Sequence, residues 1–209
     1  DYDALGRLLQ AQLNAGVDGL VLLGTTAEAA TLSAAEKSEV LQFCMGKIQH
    51  RAKVIIGTGT NDTASTVENT RAALAFNPDG VLVVTPYYNK PNPNGLVEHY
   101  KRVAALGKPV VMYHIPGRTG LKVPASVLER LLEEVPQIAG IKESDYDMAH
   151  VTDTAVKYAY RLDYICGNDD LFPQYLAINA SGIISAAANV FAPAFVQIYK
   201  LFIQGQTKQ

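Results

Sequence analysis

The segment IAGIKES, residues 138–144, combines an apolar β-strand pattern with a lysine near its end, Lys142. Strands of a parallel sheet are covered on both faces and are therefore almost continuously apolar. Burying a charged amine there is costly unless the amine is paired or loses its proton. A lysine without its proton is a nucleophile, so Lys142 is a candidate for forming a Schiff base. The alternatives are a side chain that extends out of the strand end, or a pair with Glu143.

The composition is that of an ordinary globular protein. The chain has 209 residues, 48% of them hydrophobic, and its 18 basic and 20 acidic side chains give a net charge of −2. This balance gives no indication of nucleic-acid binding, and no apolar run has the length of a membrane span. Cys44, Cys166 and the four histidines lack the spacing of metal ligands. We therefore expect free thiols, no metal site and a cytoplasmic location.

Seven short β-like segments follow one another along the chain, with helical patterns between them. Their spacing of roughly 20 to 35 residues is that of a βα unit. The predicted strands are 19–24, 53–59, 80–86, 109–115, 138–144, 163–168 and 182–188. The predicted helices are 1–15, 34–47, 95–106, 125–134 and 148–160, and Pro193 is predicted to start a last helix. Ser33 and Glu36 form a capping box at the start of the second helix.

Alternating βα units predict an α/β fold, in which a parallel sheet is covered by helices. Such a sheet is either doubly wound or closed into a (β/α)8 TIM barrel. We favour a single barrel domain, 1–209, because polar residues gather at the C-terminal ends of many strands, where barrels build their sites. The chain opens on a helix and shows seven strands. We therefore expect a barrel truncated at both ends, without its first strand and its C-terminal helices.

Several strand ends carry groups that suit a binding site. The hydroxyls and amides of Gly24-Thr25-Thr26 suit a carboxylate, although a local threonine-rich turn is the alternative. Strand alternation places Tyr113 and His114 on opposite faces, and His114 by itself is typical of a hydrogen-bonded packing residue. Arg118 is either a clamp for a substrate carboxylate or part of a surface ion pair. The segment 57–59 begins like a dinucleotide loop but lacks the third glycine, so we discount it.

Five motifs follow one another along the chain: Gly24-Thr25-Thr26-x-Glu28, Pro86-Tyr87-Tyr88-Asn89-Lys90-Pro91, Tyr113-x-Ile115-Pro116-Gly117-Arg118-Thr119, Gly140-Ile141-Lys142-Glu143-Ser144 and Gly167-Asn168-Asp169. In this order they resemble the dihydrodipicolinate synthase family of pyruvate-dependent class I lyases. The resemblance implies condensation of pyruvate with aspartate 4-semialdehyde, giving 4-hydroxy-tetrahydrodipicolinate for lysine and diaminopimelate biosynthesis. It also implies a homotetramer, a dimer of dimers, and no cofactor beyond the covalent lysine–pyruvate imine.

The resemblance implies four catalytic residues. Lys142 corresponds to the lysine that forms the imine, and Tyr113 to the tyrosine that moves protons over it. Thr25 and Tyr88 correspond to the other members of the proton relay, and Tyr88 is donated across a subunit interface in family members.

The resemblance also implies four substrate-binding residues. Thr26 corresponds to the threonine that helps to hold the pyruvate carboxylate. Arg118 corresponds to the arginine that receives the carboxylate of aspartate semialdehyde. Gly167 and Ile184 correspond to positions whose backbone lines the site.

Three departures from the family pattern stand out. Ala27 replaces the usual glycine of the carboxylate loop, and His114 replaces the usual asparagine. Lysine-inhibited members often have histidines and a glutamate at positions that are Ala34, Lys37 and Ser65 here. We therefore predict weak or absent feedback inhibition by lysine.

Two other functions stay open. One is a different pyruvate-dependent aldolase or hydratase of the same superfamily, acting on another aldehyde, which a panel of aldehydes would distinguish. The other is a barrel that keeps the site residues only as a scaffold. Failure of Lys142 to react with any keto acid would favour the scaffold.

Overall fold

A computed structural model describes residues 1–207 and contains one parallel, seven-stranded sheet. Each strand pairs with the next one along the chain, so the spatial order is the sequence order. The strands are β1 Gly19–Leu22, β2 Lys53–Gly57, β3 Gly80–Val84, β4 Val110–His114, β5 Ile138–Glu143, β6 Asp163–Cys166 and β7 Gly182–Ile183. Every predicted strand contains an observed one. The observed strands are shorter because the residues at their ends leave the ladder to form loops.

Nine helices lie between and beyond the strands in the described part of the chain. They are α1 Tyr2–Ala15, α2 Ala34–Ile48, α3 Thr63–Leu74, α4 Pro93–Ala104, α5 Pro116–Thr119, α6 Ala125–Glu134, α7 Met148–Tyr158, α8 Phe172–Ala177 and α9 Ala188–Ile203. The predicted capping box of α2 is present, since the Glu36 carboxylate accepts from the Ser33 amide at 2.8 Å and the Glu36 amide donates to Ser33 Oγ at 3.3 Å. Within residues 1–207, no helix has both the length and the apolarity needed to cross a membrane.

The structure corrects one prediction about helices and refines another. Helix α3 was absent from the prediction because its buried face includes two polar residues, Thr66 and Thr70, whose hydroxyls bond to backbone carbonyls one turn earlier. Pro193, the predicted start of the last helix, lies near the start of the second of two helical segments that together form α9, which begins at Ala188. Its backbone is non-helical at Phe191, two residues before Pro193. Proline lacks an N–H and crowds the preceding turn, which accounts for the break.

The sheet is curled, so that side chains from well-separated strands meet on its inner face. Leu82, Val111 and Tyr113 form a buried cluster there. Partly buried residues of β1, β2 and β6 pack on the same cluster, namely Val21, Ile55 and Ile165. Strands β1 and β6 are not neighbours, so their side chains share one cluster only because the sheet curves. Tyr113 lies near the C-terminal end of β4 in this cluster.

The helices cover the outer face of the sheet and extend around it from α9 to α1. Gln12 of α1 donates its Nε2 hydrogen to the Ala188 carbonyl at the start of α9, at 2.8 Å. Strands β1 and β7 are the two edges of the described sheet. Cys44 and Cys166 are buried and free, as expected. The fold is therefore an α/β fold with a curled parallel sheet and outer helices.

The glycines of the segment 57–59 pack closely against neighbouring strands. A Cβ at Gly57 would lie 2.3 Å from the Leu23 carbonyl oxygen, and one at Gly59 would lie 2.4 Å from the Val84 amide nitrogen. Real Cβ atoms do not approach backbone this closely, so both positions require glycine. The segment is therefore explained by backbone packing, which agrees with its rejection as a dinucleotide loop.

Gly59→Ala is predicted to lower the free energy of unfolding by about 2–4 kcal/mol, because the added methyl group overlaps the β3 backbone. Gly46→Ala is the matched control, since this exposed glycine of α2 has no atom within 4 Å of the added Cβ. It is predicted to raise the free energy of unfolding by about 0.5–1 kcal/mol. Urea titrations of both variants measure the difference, and equal effects would contradict the packing explanation.

Candidate active site

Lys142 lies on the inner face of the sheet, near the C-terminal end of β5. It is opposite Tyr113 of β4 in the register of the two strands, and its Nζ lies 4.2 Å from the centre of the Tyr113 ring. Burial lowers the pKa of Lys142 to about 8, while the negative charge of Asp169 acts in the opposite direction. A substantial fraction of the amine is therefore neutral at physiological pH and able to act as a nucleophile.

His114 and Glu143 form a buried pair on the outer face of the same two strands. His114 Nδ1 donates to both Glu143 oxygens at 2.8 Å, and His114 Nε2 accepts the Val123 amide at 3.1 Å. Glu143 also accepts the Asp145 amide at 2.8 Å. The alternative in which Lys142 pairs with Glu143 is therefore wrong, because the two side chains leave β5 on opposite faces. His114 has the packing role considered for it from the sequence.

His150 of α7 is the third member of the cluster around this pair. Suitable ligand atoms of His114, Glu143 and His150 lie within 4.8 Å of one another. The spacing of the histidines gave no sign of this group, because its members come from β4, β5 and α7. Both ring nitrogens of His114 are already hydrogen-bonded, and a metal ion would have to displace the proton on Nδ1. The hydrogen bonds explain the cluster as a packing arrangement.

Tyr113 and Arg118 are electrostatically linked. Burial raises the pKa of Tyr113, whereas the nearby Ser144 hydroxyl and the positive charge of Arg118 lower it. Arg118 is exposed on α5 and forms no ion pair with the other residues that the structure describes. The surface ion pair considered from the sequence is therefore not formed. The guanidinium is available to bind a carboxylate from solution near the Tyr113 phenol.

Gly167 and Ile184 follow the neighbouring strands β6 and β7. A Cβ at Gly167 would lie 1.9 Å from Ser144 Oγ and 3.0 Å from Lys142 Cε, so the bare backbone makes room for both side chains. The Ile184 amide donates to the Cys166 carbonyl at 2.9 Å. This hydrogen bond places Ile184 beside Cys166, the residue before Gly167. The backbone of Gly167 therefore borders the Lys142 side chain, and the predicted role of Ile184 stays a prediction.

Asp169 is a residue of this region that the sequence predictions missed. Its Oδ2 accepts the Ala187 amide at 3.0 Å, and its buried Oδ1 has no hydrogen-bond partner within residues 1–207. Its negative charge raises the pKa of Lys142 and so partly offsets the effect of burial. Its position after β6 was visible in the sequence, but its proximity to a lysine on another strand was not.

Thr25, Thr26 and Tyr88 lie on loops that follow β1 and β3, at the same end of the sheet as Lys142. Both threonines are exposed in a 3₁₀ turn after β1, where the first amides have no partner within the turn. Tyr88 is 89% exposed on the loop after β3. Across the described residues, none of the three makes a hydrogen bond to Lys142 or Tyr113. Their predicted roles therefore stay predictions.

Comparison with known proteins identifies the family. The family profile described as the dihydrodipicolinate synthetase family matches residues 1–209. The chain belongs to this family. The resemblance predicted from the five motifs is thereby confirmed.

Individual relatives agree along nearly the whole chain. A 4-hydroxy-tetrahydrodipicolinate synthase of Brachyspira hyodysenteriae is 39% identical, over 100% of this chain and 71% of that protein. The solved 4-hydroxy-tetrahydrodipicolinate synthase of Methylacidiphilum fumariolicum superposes with a TM-score of 0.95 at 34% identity, covering 99% of this chain and 69% of that one. The chloride-inhibited dihydrodipicolinate synthase of Acinetobacter baumannii, solved with pyruvate, gives a TM-score of 0.94 at 33% identity, covering 100% of this chain and 72% of that one.

Asp169→Asn is predicted to move the pKa of Lys142 further below about 8, because it removes the negative charge that favours the protonated amine. Asparagine keeps an oxygen for the Ala187 amide. The rate of Lys142 carbamoylation by cyanate, followed against pH by peptide mass spectrometry, measures the shift. Asp170→Asn is the matched control, since this exposed neighbour does not act on the Lys142 amine. An unchanged midpoint in Asp169→Asn, or an equal shift in both variants, would contradict the prediction.

Proposed function

We propose that this protein is a 4-hydroxy-tetrahydrodipicolinate synthase, a lyase that condenses pyruvate with aspartate 4-semialdehyde. The observation that carries the proposal is the partly buried amine of Lys142, with a pKa lowered to about 8 and the Tyr113 ring 4.2 Å away. At pH 7.5 this pKa gives roughly 200-fold more neutral amine than an unperturbed lysine has. The relatives from Brachyspira hyodysenteriae and Methylacidiphilum fumariolicum are both named 4-hydroxy-tetrahydrodipicolinate synthase, which supports the assignment.

The reaction begins with attack of the Lys142 amine on the ketone of pyruvate. Loss of water gives an imine, which acidifies the adjacent methyl group, so that an enamine forms. The enamine carbon then attacks the aldehyde of the second substrate, and transimination releases Lys142 with the cyclised product. Tyr113 is the proton donor and acceptor next to the amine. The lysine itself activates the ketone, so the proposed reaction requires no metal and no separate cofactor.

The remaining site residues are assigned within this proposal. Thr25 and Tyr88 complete the proton relay, and the high exposure of Tyr88 is compatible with donation to a second subunit of a homotetramer. Thr26 binds the pyruvate carboxylate together with the free amides of its turn. Arg118, which has no competing ion pair within residues 1–207, binds the carboxylate of aspartate semialdehyde. The backbone at Gly167 and Ile184 lines the pocket.

The proposal also covers the closed fold of the domain and the location of the protein in the cell. The curled sheet belongs to an eight-stranded (β/α)8 barrel in one domain, with a further strand between the open edges of β1 and β7. The helices that extend from α9 to α1 on the outside support this closure. The protein acts in the cytoplasm, in the lysine and diaminopimelate pathway.

Borohydride reduction in the presence of pyruvate is predicted to attach the keto acid permanently to Lys142. Peptide mass mapping identifies the modified residue. Lys142→Ala is predicted to abolish the adduct, whereas Lys157→Ala, which removes an exposed lysine of α7, is predicted to leave it unchanged. A folded protein that forms no adduct on Lys142 would contradict the proposed chemistry. A panel of aldehydes then tests the second substrate, and preference for an aldehyde without a carboxylate would favour another aldolase of the superfamily.

A further inference from the structure

The hydroxyl of Ser144 is buried, and no hydrogen bond within residues 1–207 accounts for it. Ser144 directly follows β5 and is 4% exposed, and its Oγ has no hydrogen-bond partner among the described residues. An unpaired buried hydroxyl costs about 1–3 kcal/mol, and native proteins keep few of them. Such a group at the end of a site strand is free to donate to a bound molecule.

Ser144 lies beside the stem of Lys142. The two residues are two positions apart, so strand alternation directs both side chains to the inner face. Both side chains lie against the bare backbone of Gly167, because a Cβ there would lie 1.9 Å from Ser144 Oγ and 3.0 Å from Lys142 Cε. The serine hydroxyl and the lysine stem therefore pack side by side over one bare glycine.

The Ser144 hydroxyl also lies close to the Tyr113 phenol. Ser144 acts on Tyr113 as a weak hydrogen-bond partner would, and this contact lowers the pKa of Tyr113. They nevertheless make no hydrogen bond of ordinary geometry. The Tyr113 ring in turn lies 4.2 Å from Lys142 Nζ. A hydroxyl, a phenol and an amine from two adjacent strands thus border the same region of the inner face.

We propose that Ser144 is a further catalytic residue, whose hydroxyl hydrogen-bonds to the oxygen on the carbonyl carbon that Lys142 attacks. The inference rests on the proposed function and adds to it a residue that acts in imine formation. Ser144 donates to this oxygen while it carries developing negative charge. Fixed donors aimed at such an oxygen lower the barrier because they need no reorganisation during the step.

The step balances with the groups present. The nitrogen lone pair of Lys142 forms the C–N bond, and the carbonyl π pair moves to oxygen. Oxygen takes a proton from Tyr113, and one N–H proton returns to the phenolate. A second proton from Tyr113 allows the hydroxyl to leave as water while the nitrogen lone pair closes the C=N bond. The remaining N–H proton restores the phenol, and Ser144 keeps its own proton throughout.

The test is the rate at which the Lys142–pyruvate imine forms, followed by rapid mixing and borohydride quenching with pyruvate alone. Ser144→Ala is predicted to lower the rate constant at saturating pyruvate by at least about tenfold. The final yield of adduct and the pyruvate concentration for half-maximal rate are predicted to change little, since the hydroxyl acts on the transition state. Ser144→Cys, which keeps the size but has a weak donor, is predicted to give an intermediate rate.

Controls separate this inference from the proposed function. Ser126→Ala removes an exposed serine hydroxyl from α6 and is predicted to form the imine at the wild-type rate. Circular dichroism and thermal melting establish that each variant is folded. Equal rates in wild type and Ser144→Ala would overturn the role of Ser144 and leave the lyase intact. Absence of a Lys142 adduct in the wild-type protein would overturn both.

Discussion

Partial burial of the Lys142 amine is the physical constraint on which the site depends. A lysine on the protein surface is almost fully protonated at neutral pH and does not attack a ketone. The inner face of the sheet removes part of the hydration of the ammonium form, and its pKa falls to about 8. Asp169 limits this fall, so that burial and charge together set the fraction of neutral amine. The curl of the sheet supplies the enclosure, because it brings apolar side chains of several strands together below the amine.

The alternation of side chains along β4 and β5 places the reactive residues on the inner face of the sheet and a hydrogen-bonded pair on its outer face. Tyr113 and Lys142 point inward, whereas their neighbours His114 and Glu143 point outward and bond to each other at 2.8 Å. The outer pair joins the two strands at the residues next to the reactive ones, and the Val123 and Asp145 amides complete its hydrogen bonds. The replacement of the family's usual asparagine by His114 therefore concerns the outer face, away from the Lys142 amine.

The parts of the structure that follow local rules were predictable from the sequence. All seven strands lie within predicted segments, and the Ser33 capping box is formed, because strand composition and helix caps depend on nearby residues. Helix α3 was not predicted because its buried side includes threonines, which break the apolar pattern. Their hydroxyls donate to backbone carbonyls one turn earlier, so the side chains can be buried. The cluster of His114, Glu143 and His150 was missed for another reason, as it joins elements far apart in the chain. The position of the Ser144 side chain could have been predicted, because strand alternation from Lys142 places it on the inner face.

A direct titration of the Lys142 amine tests the central claim. The protein is labelled at the lysine ε-carbon with ¹³C, the Lys142 signal is assigned by comparison with Lys142→Ala, and its chemical shift is followed against pH without substrate. A midpoint near 8 is predicted, since the burial of the amine lowers its pKa to about that value. A midpoint near the ordinary lysine value of about 10.4 would show a solvated ammonium group. It would contradict the claim that burial of Lys142 lowers its pKa.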